Sequence, residues 1–254
     1  MLRAIFAEFI KAKHSFAVWL SLFGTLANVL LFFSLHWLNP GKWRGEGHWE
    51  DYILNFYEGV AFMMLPLYVV ILAALVSFME HRRGMWTHLF VLPLNRSQLY
   101  VGKLIYLLFH FLAAHLLFIL GMLASGYLLG WLDPSYHFWE DRLPVFLIGT
   151  LAAKTFLSIL GLLSLQYWLS LRFNHFIIPL TIGILGFVAV ALLGADWPHI
   201  SYIPFAPPVL YMQVFRGELI LETWGPFSLA ELASMGFFLL FLIIGLIDFS
   251  QKRV

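Results

Sequence analysis

The side chains that could do chemistry in this 254-residue chain are few and scattered. It has ten histidines and no cysteine, which excludes disulfides and thiolate metal sites. His110 and His115 would lie about 140° apart around a helix, a poor arrangement for two ligands of one metal ion. Hydrogen bonding to neighbouring helices or lining a cavity suits them better, and both are candidates for a transport pathway. No G-x-x-x-x-G-K-[ST] phosphate loop, H-E-x-x-H pair or G-x-S-x-G nucleophile turn occurs. The chain is therefore not expected to be an enzyme, and no cofactor is expected within it.

Lys154 is the sharpest anomaly. It lies well inside an otherwise uncharged stretch, residues 145–171. A charge at the bilayer centre is costly and usually faces the interior of a helix bundle or a water-filled path. Two readings stand: a pathway residue in contact with cargo, or a structural ion pair or snorkelling side chain. The sequence offers no obvious acidic partner within a span, since Glu58 and Glu231 fall nearer the span edges.

The elements that must position these residues are apolar helices. Hydrophobic residues make up 61% of the chain and charged residues 11%, against roughly a quarter charged in soluble domains. The excess falls in six nearly uncharged stretches, residues 16–37, 60–78, 104–129, 145–171, 176–193 and 229–247. A helix rising 1.5 Å per residue needs about 20 residues to cross a hydrocarbon core roughly 30 Å thick. The expected fold is an all-α membrane protein, a single domain over residues 1–254 with six transmembrane helices. With both termini inside, ten lysines and arginines fall on inner segments and four on outer ones, Lys154 aside. That bias places both termini in the cytoplasm, and the expected location is the cytoplasmic (inner) membrane. Trp37, Trp43, Trp49, Trp131, Trp139 and Trp197 sit near outer span ends, where an indole suits the interface.

Four connecting segments have their own character. The first fifteen residues space Leu2, Ile5, Phe6, Phe9 and Ile10 along one helical side and place Glu8 and Lys11 elsewhere, so an amphipathic interface helix is expected. This start lacks the features of a cleaved signal peptide. Residues 39–56 read as a polar outer loop. Residues 80–103 are the longest charged inner segment, and Pro93 and Asn95 divide it into two short helical pieces around a bend. Residues 194–227 mix Pro198, Pro204, Pro207 and Pro208 with apolar runs. A re-entrant helical segment between spans five and six fits them better than a compact exterior cap. The absence of a long basic run excludes nucleic acid as a partner.

The inner segment also carries a resemblance. It reads Glu80-His81-Arg82-Arg83-Gly84-Met85-Trp86-Thr87-His88-Leu89, then Leu92-Pro93-Leu94-Asn95-Arg96, then Leu99-Tyr100 and Lys103. This resembles the E-x-x-x-G-x-W-x-x-L…L-P-x-x-R…Y-x-x-K pattern of type-2 ABC exporter permeases, above all the lantibiotic-immunity and bacitracin-resistance branch. Ala7-Glu8-Phe9-Ile10-Lys11 is similar to the acidic-then-basic opening of the same permeases. The resemblance implies a six-helix transmembrane subunit working with a second copy or a related permease chain. It also implies separate ATP-hydrolysing subunits, which would hold ATP and Mg. Glu80 would stand at the cytoplasmic mouth of span two, Gly84 and Trp86 would shape a coupling bend, Leu92 and Pro93 would start the next piece, and Arg96 and Lys103 would lead into span three.

A physical argument runs beside it. A chain with no nucleotide site needs a surface on which a motor can push, and segment 80–96 is the longest inner candidate. Met85, Trp86, Leu89 and Phe90 can enter an apolar groove, while Arg82, Arg83 and Arg96 can clamp an acidic rim. The expected function is ATP-driven outward movement of a peptide antibiotic, lipid or amphipathic compound. The alternatives are an ion-coupled secondary transporter, which would need intramembrane acid–base pairs, and a membrane enzyme or assembly subunit, which would need a polar cluster at one face.

Overall fold

The computed structural model describes residues 8–10, 15–39, 48–60, 64–82, 95–173, 175–193, 197, 199–217, 219 and 223–251. They are almost entirely helical. In chain order the helices are α1 (Phe16–Leu38), α2 (His48–Gly59), α3 (Leu65–Arg82), α4 (Arg96–Leu132), α5 (Val145–Arg172), α6 (Ile177–Leu193), α7 (Pro207–Phe215) and α8 (Leu229–Gln251). A hairpin of β1 (Thr223–Trp224) and β2 (Phe227–Ser228) precedes α8. α1, α4, α5 and α8 are long and apolar enough to cross a membrane, and Leu65–Phe78 and Ile177–Leu193 are shorter apolar helices. Each coincides with one of the six uncharged stretches, as expected where lipid leaves the backbone to satisfy its own hydrogen bonds.

Packing centres on α5, which lies against α8 along its length and against α3 on another side. Gly161 makes the α5–α8 approach possible: a Cβ there would meet the Ser234 carbonyl oxygen at 2.8 Å and Phe237 Cβ at 2.9 Å. Small residues let helix backbones close up where lipid supplies no hydrophobic drive. Gly183 and Gly186 of α6 are likewise filled by Val70 and Phe205, whereas Gly149 faces open space. The α5–α8 seam is polar. Ser234 Oγ donates to the Ser158 carbonyl at 2.8 Å and accepts from the Gly161 N–H at 2.9 Å, and Thr155 and Tyr211 share a hydroxyl–hydroxyl hydrogen bond.

Tertiary contacts sort the helix ends. Arg96 Nη1 donates to the Ser250 carbonyl, Arg172 pairs with Asp248 at 2.7 Å, and Phe78 packs on Phe176 with ring centroids 5.4 Å apart. The start of α4 and the ends of α3, α5 and α8 thus share one end of the bundle. At the other end Tyr136 Oη donates to the His36 carbonyl, and Arg216 pairs with Glu58 at 2.6 Å.

Three expectations need correction. Residues 48–56 are not a polar loop. They form most of α2, whose Trp49, Tyr52, Ile53, Phe56 and Tyr57 are buried. The charged Glu50, Asp51 and Glu58 alternate with these on the other side, so a helical period hides within a polar composition. Trp49 is not an interface anchor, since its indole is buried and donates to the Phe138 carbonyl at 3.0 Å. Nor do Arg96 to Lys103 form a separate short piece. They are the first turns of the unbroken 37-residue α4, which begins directly after Asn95.

Between α6 and the hairpin, Pro207 and Pro208 occupy the first turn of α7, where a missing N–H costs nothing. α7 packs against α5 and α8, and Pro207 through Met212 are buried.

Candidate functional site

Lys154 has a partner. Its Nζ lies 2.9 Å from Glu231 Oε1 and 3.1 Å from the Pro226 carbonyl oxygen. Glu231 is 1% exposed and stands in the first turn of α8. Its other oxygen accepts from both the N–H and the hydroxyl of Ser228. This is one half of a capping box: Ser228 precedes the helix, and the carboxylate three residues on reaches back to its N–H. The helix N-terminus adds a favourable dipole. The Pro226 carbonyl is held by the β1–β2 turn, where Gly225 adopts φ +65°, the positive angle a tight hairpin requires at its first central position. Lys154 therefore ties α5 to the start of α8 through a network built on the other helix. The sequence did hold a signal for this, the pattern Ser228-x-x-Glu231 before an apolar run, but that signal marks a helix start and does not point to Lys154.

A second buried pair lies at the opposite end. Lys103 Nζ is 2.9 Å from Glu8 Oε2, and the two side chains are 5% and 7% exposed. Phe9 beside it packs edge-on against Tyr106 and Phe109 of α4, with centroids 5.2 Å and 4.9 Å away. Glu8 is thus buried, while Ile10 is 76% exposed. The interaction joins the two segments that carry the family pattern, the opening around Glu8 and the Tyr100–Lys103 pair.

Between α1, α2, α3 and α4 lies a cavity of about 250 Å³. Its walls are apolar, but Asn28, Tyr57, Tyr68 and His115 contribute polar atoms. Tyr68 Oη is engaged with Ser21 Oγ at 2.7 Å. His110 Nδ1 lies 3.3 Å from the same Ser21 hydroxyl. The structure thus separates the two histidines: His110 joins a hydrogen-bond cluster on α1, and His115 faces the cavity.

Of the expected coupling residues, Arg96 begins α4 at the end shared with Arg172 and Asp248. Glu80 and Arg82 fall in the last turn of α3, and the roles expected of their side chains lie outside the described residues, as do Arg83, Gly84, Met85, Trp86, Leu89, Phe90 and Pro93. Among the described residues, no three histidine, aspartate or glutamate side chains cluster as a metal site.

These features fit a multi-span bundle with buried ion pairs and an apolar cavity, and sequence comparison identifies its family. The model of the ABC-2 family of transporter proteins matches residues 4–190. The chain belongs to the ABC-2 transporter family. It is a multi-pass membrane permease, a transport component and not an enzyme, of a kind that pairs with ATP-binding cassette subunits. No curated protein and no solved structure matches it.

Proposed function

We propose that this ABC-2 permease is the transmembrane subunit of an ATP-driven exporter that moves an amphipathic compound, lipid or peptide antibiotic outward. The family match over residues 4–190 carries the reading. In it, the whole chain is one domain, and α3 and α6 cross the bilayer with the four longer helices. α7 enters the membrane from the outer side, and residues before α1 lie along the inner surface. A separate ATPase holding ATP and Mg docks on segment 80–96, and a second copy or related chain completes the pore. His115 and His110 face the pathway, whereas the Glu231 contact favours a structural task for Lys154.

The end of the bundle that gathers Arg96, Lys103 and Arg172 is the cytoplasmic one, in keeping with the charge bias. Single cysteines at Ser15, Gly45, Ser97, Ser135 and Gln251 test this, since the chain has none of its own. An impermeant thiol reagent on intact cells is expected to label positions 45 and 135 only. Labelling at 97 or 251 would invert the topology.

Docking is tested by co-purifying the permease with its ATPase and measuring substrate-stimulated ATP hydrolysis in lipid. If Trp86 is the aromatic anchor, Trp86→Ala weakens retention by about 2 kcal/mol, roughly thirtyfold. Full retention after alanine replacement of the whole 85–90 stretch would move the docking surface elsewhere.

A further inference from the structure

We infer that the cavity between α1, α2, α3 and α4 is a binding site for an uncharged amphiphile with a hydroxyl head. Tyr57 and His115 are almost wholly buried, and both line the cavity together with Asn28. The Tyr57 hydroxyl, both ring nitrogens of His115 and Asn28 Oδ1 are buried without a hydrogen-bond partner among the described residues. Leaving one such group unsatisfied costs about 1–3 kcal/mol, and buried polar groups in native proteins are nearly always paired. Three wall residues of one cavity thus carry four atoms unmet among the described residues, and a ligand seated there would supply partners.

The chemistry of the walls selects the ligand. Among the described residues no charged side chain lines the cavity, so a charged head would meet no counter-charge from them. A neutral imidazole offers one donor and one acceptor, a phenol both, and the Asn28 oxygen an acceptor. A hydroxyl, itself donor and acceptor, answers that mixture. The remaining wall is apolar, and the space exceeds the roughly 150 Å³ that accommodates benzene, so the head must carry an apolar body.

The backbone around the cavity is also irregular. Leu20–Gly24 form a π-helical turn within α1, with Leu20 and Gly24 on the wall. Val60 and Met64, also on the wall, have π-helical geometry. Such turns are rare and frequently stand at functional sites. Here they stand on two walls of the same cavity.

This inference deepens the transport reading and rests on it for the ligand's role as cargo. Binding is read without any ATPase, so failure of the one is distinguishable from failure of the other. The probe is an eight-carbon primary alcohol bearing a diazirine near its tail, irradiated with the full-length chain in lipid nanodiscs and mapped by peptide mass spectrometry. Saturable adducts are expected on the cavity walls of α1, α3 and α4. Octan-1-ol should compete and octane should not. His115→Leu and Tyr57→Phe should each weaken labelling roughly tenfold, as expected for one lost hydrogen bond to the head. Non-saturable labelling confined to lipid-facing positions such as Leu116 and Leu120 would overturn the site. Equal competition by octane and octan-1-ol would overturn head-group recognition, and this arm uses the wild-type chain alone.

Discussion

Lys103→Met is expected to destabilise the permease by about 3–5 kcal/mol, the range for removing one partner of a buried ion pair. Lys103 and Glu8 are both nearly inaccessible and 2.9 Å apart, so the Glu8 carboxylate would stay buried without this ammonium group beside it. Glu8→Gln should cost a similar amount by taking the carboxylate charge away from the buried ammonium group. The double variant Glu8→Gln, Lys103→Met should recover most of the loss, because replacing both charges removes the desolvation cost together with the attraction. The measurement is the thermal midpoint of the purified chain in lipid for wild type, both single variants and the double. High salt should leave the differences unchanged, since buried pairs are poorly screened. Additive losses in the double variant would show that the two side chains act independently.

The second large effect is expected at Lys154. Lys154→Met removes the counter-ion of Glu231 but leaves the two hydrogen bonds from Ser228. The cost should therefore fall below the usual range, at about 2 kcal/mol. Glu231→Ala removes the counter-ion and the helix cap together and should cost more, since a cap alone contributes about 1 kcal/mol. The double variant Lys154→Met, Glu231→Gln separates structure from transport. If the pair is structural, this variant assembles with the ATPase and transports at the wild-type rate. A stable, assembled double variant that fails to transport would place Lys154 on the pathway instead.

These two pairs also show how the protein's parts are joined. Lys103 anchors the start of the chain to α4 at one end of the bundle, and Lys154 anchors the turn before α8 to α5 at the other. Both clamp a terminal element onto a central helix. In lipid, where apolar contact between helices brings little net gain, such specific polar contacts and close packing at Gly161 carry much of the association.

The sequence by itself determined the class of protein and the positions of its apolar helices. Stretches of uncharged residues long enough for a bilayer can only be helices, so each coincides with an observed helix to within a few residues at most ends. The family was equally legible, and its model matches residues 4–190. The tertiary structure decided what these helices hold between them. Glu231 follows Lys154 by 77 residues, and Glu8 precedes Lys103 by 95. No periodicity or spacing connects side chains that far apart; only the parallel packing of α5 on α8, and the packing of the chain's start against α4, brings each pair within 3 Å. α2 was hidden for a related reason: its charges made it read as loop, although Trp49, Tyr52, Phe56 and Tyr57 form an inward face. The cavity could not be read at all from sequence, because it is a property of four walls, and His115 became distinguishable from His110 only when α1 and α3 closed around them.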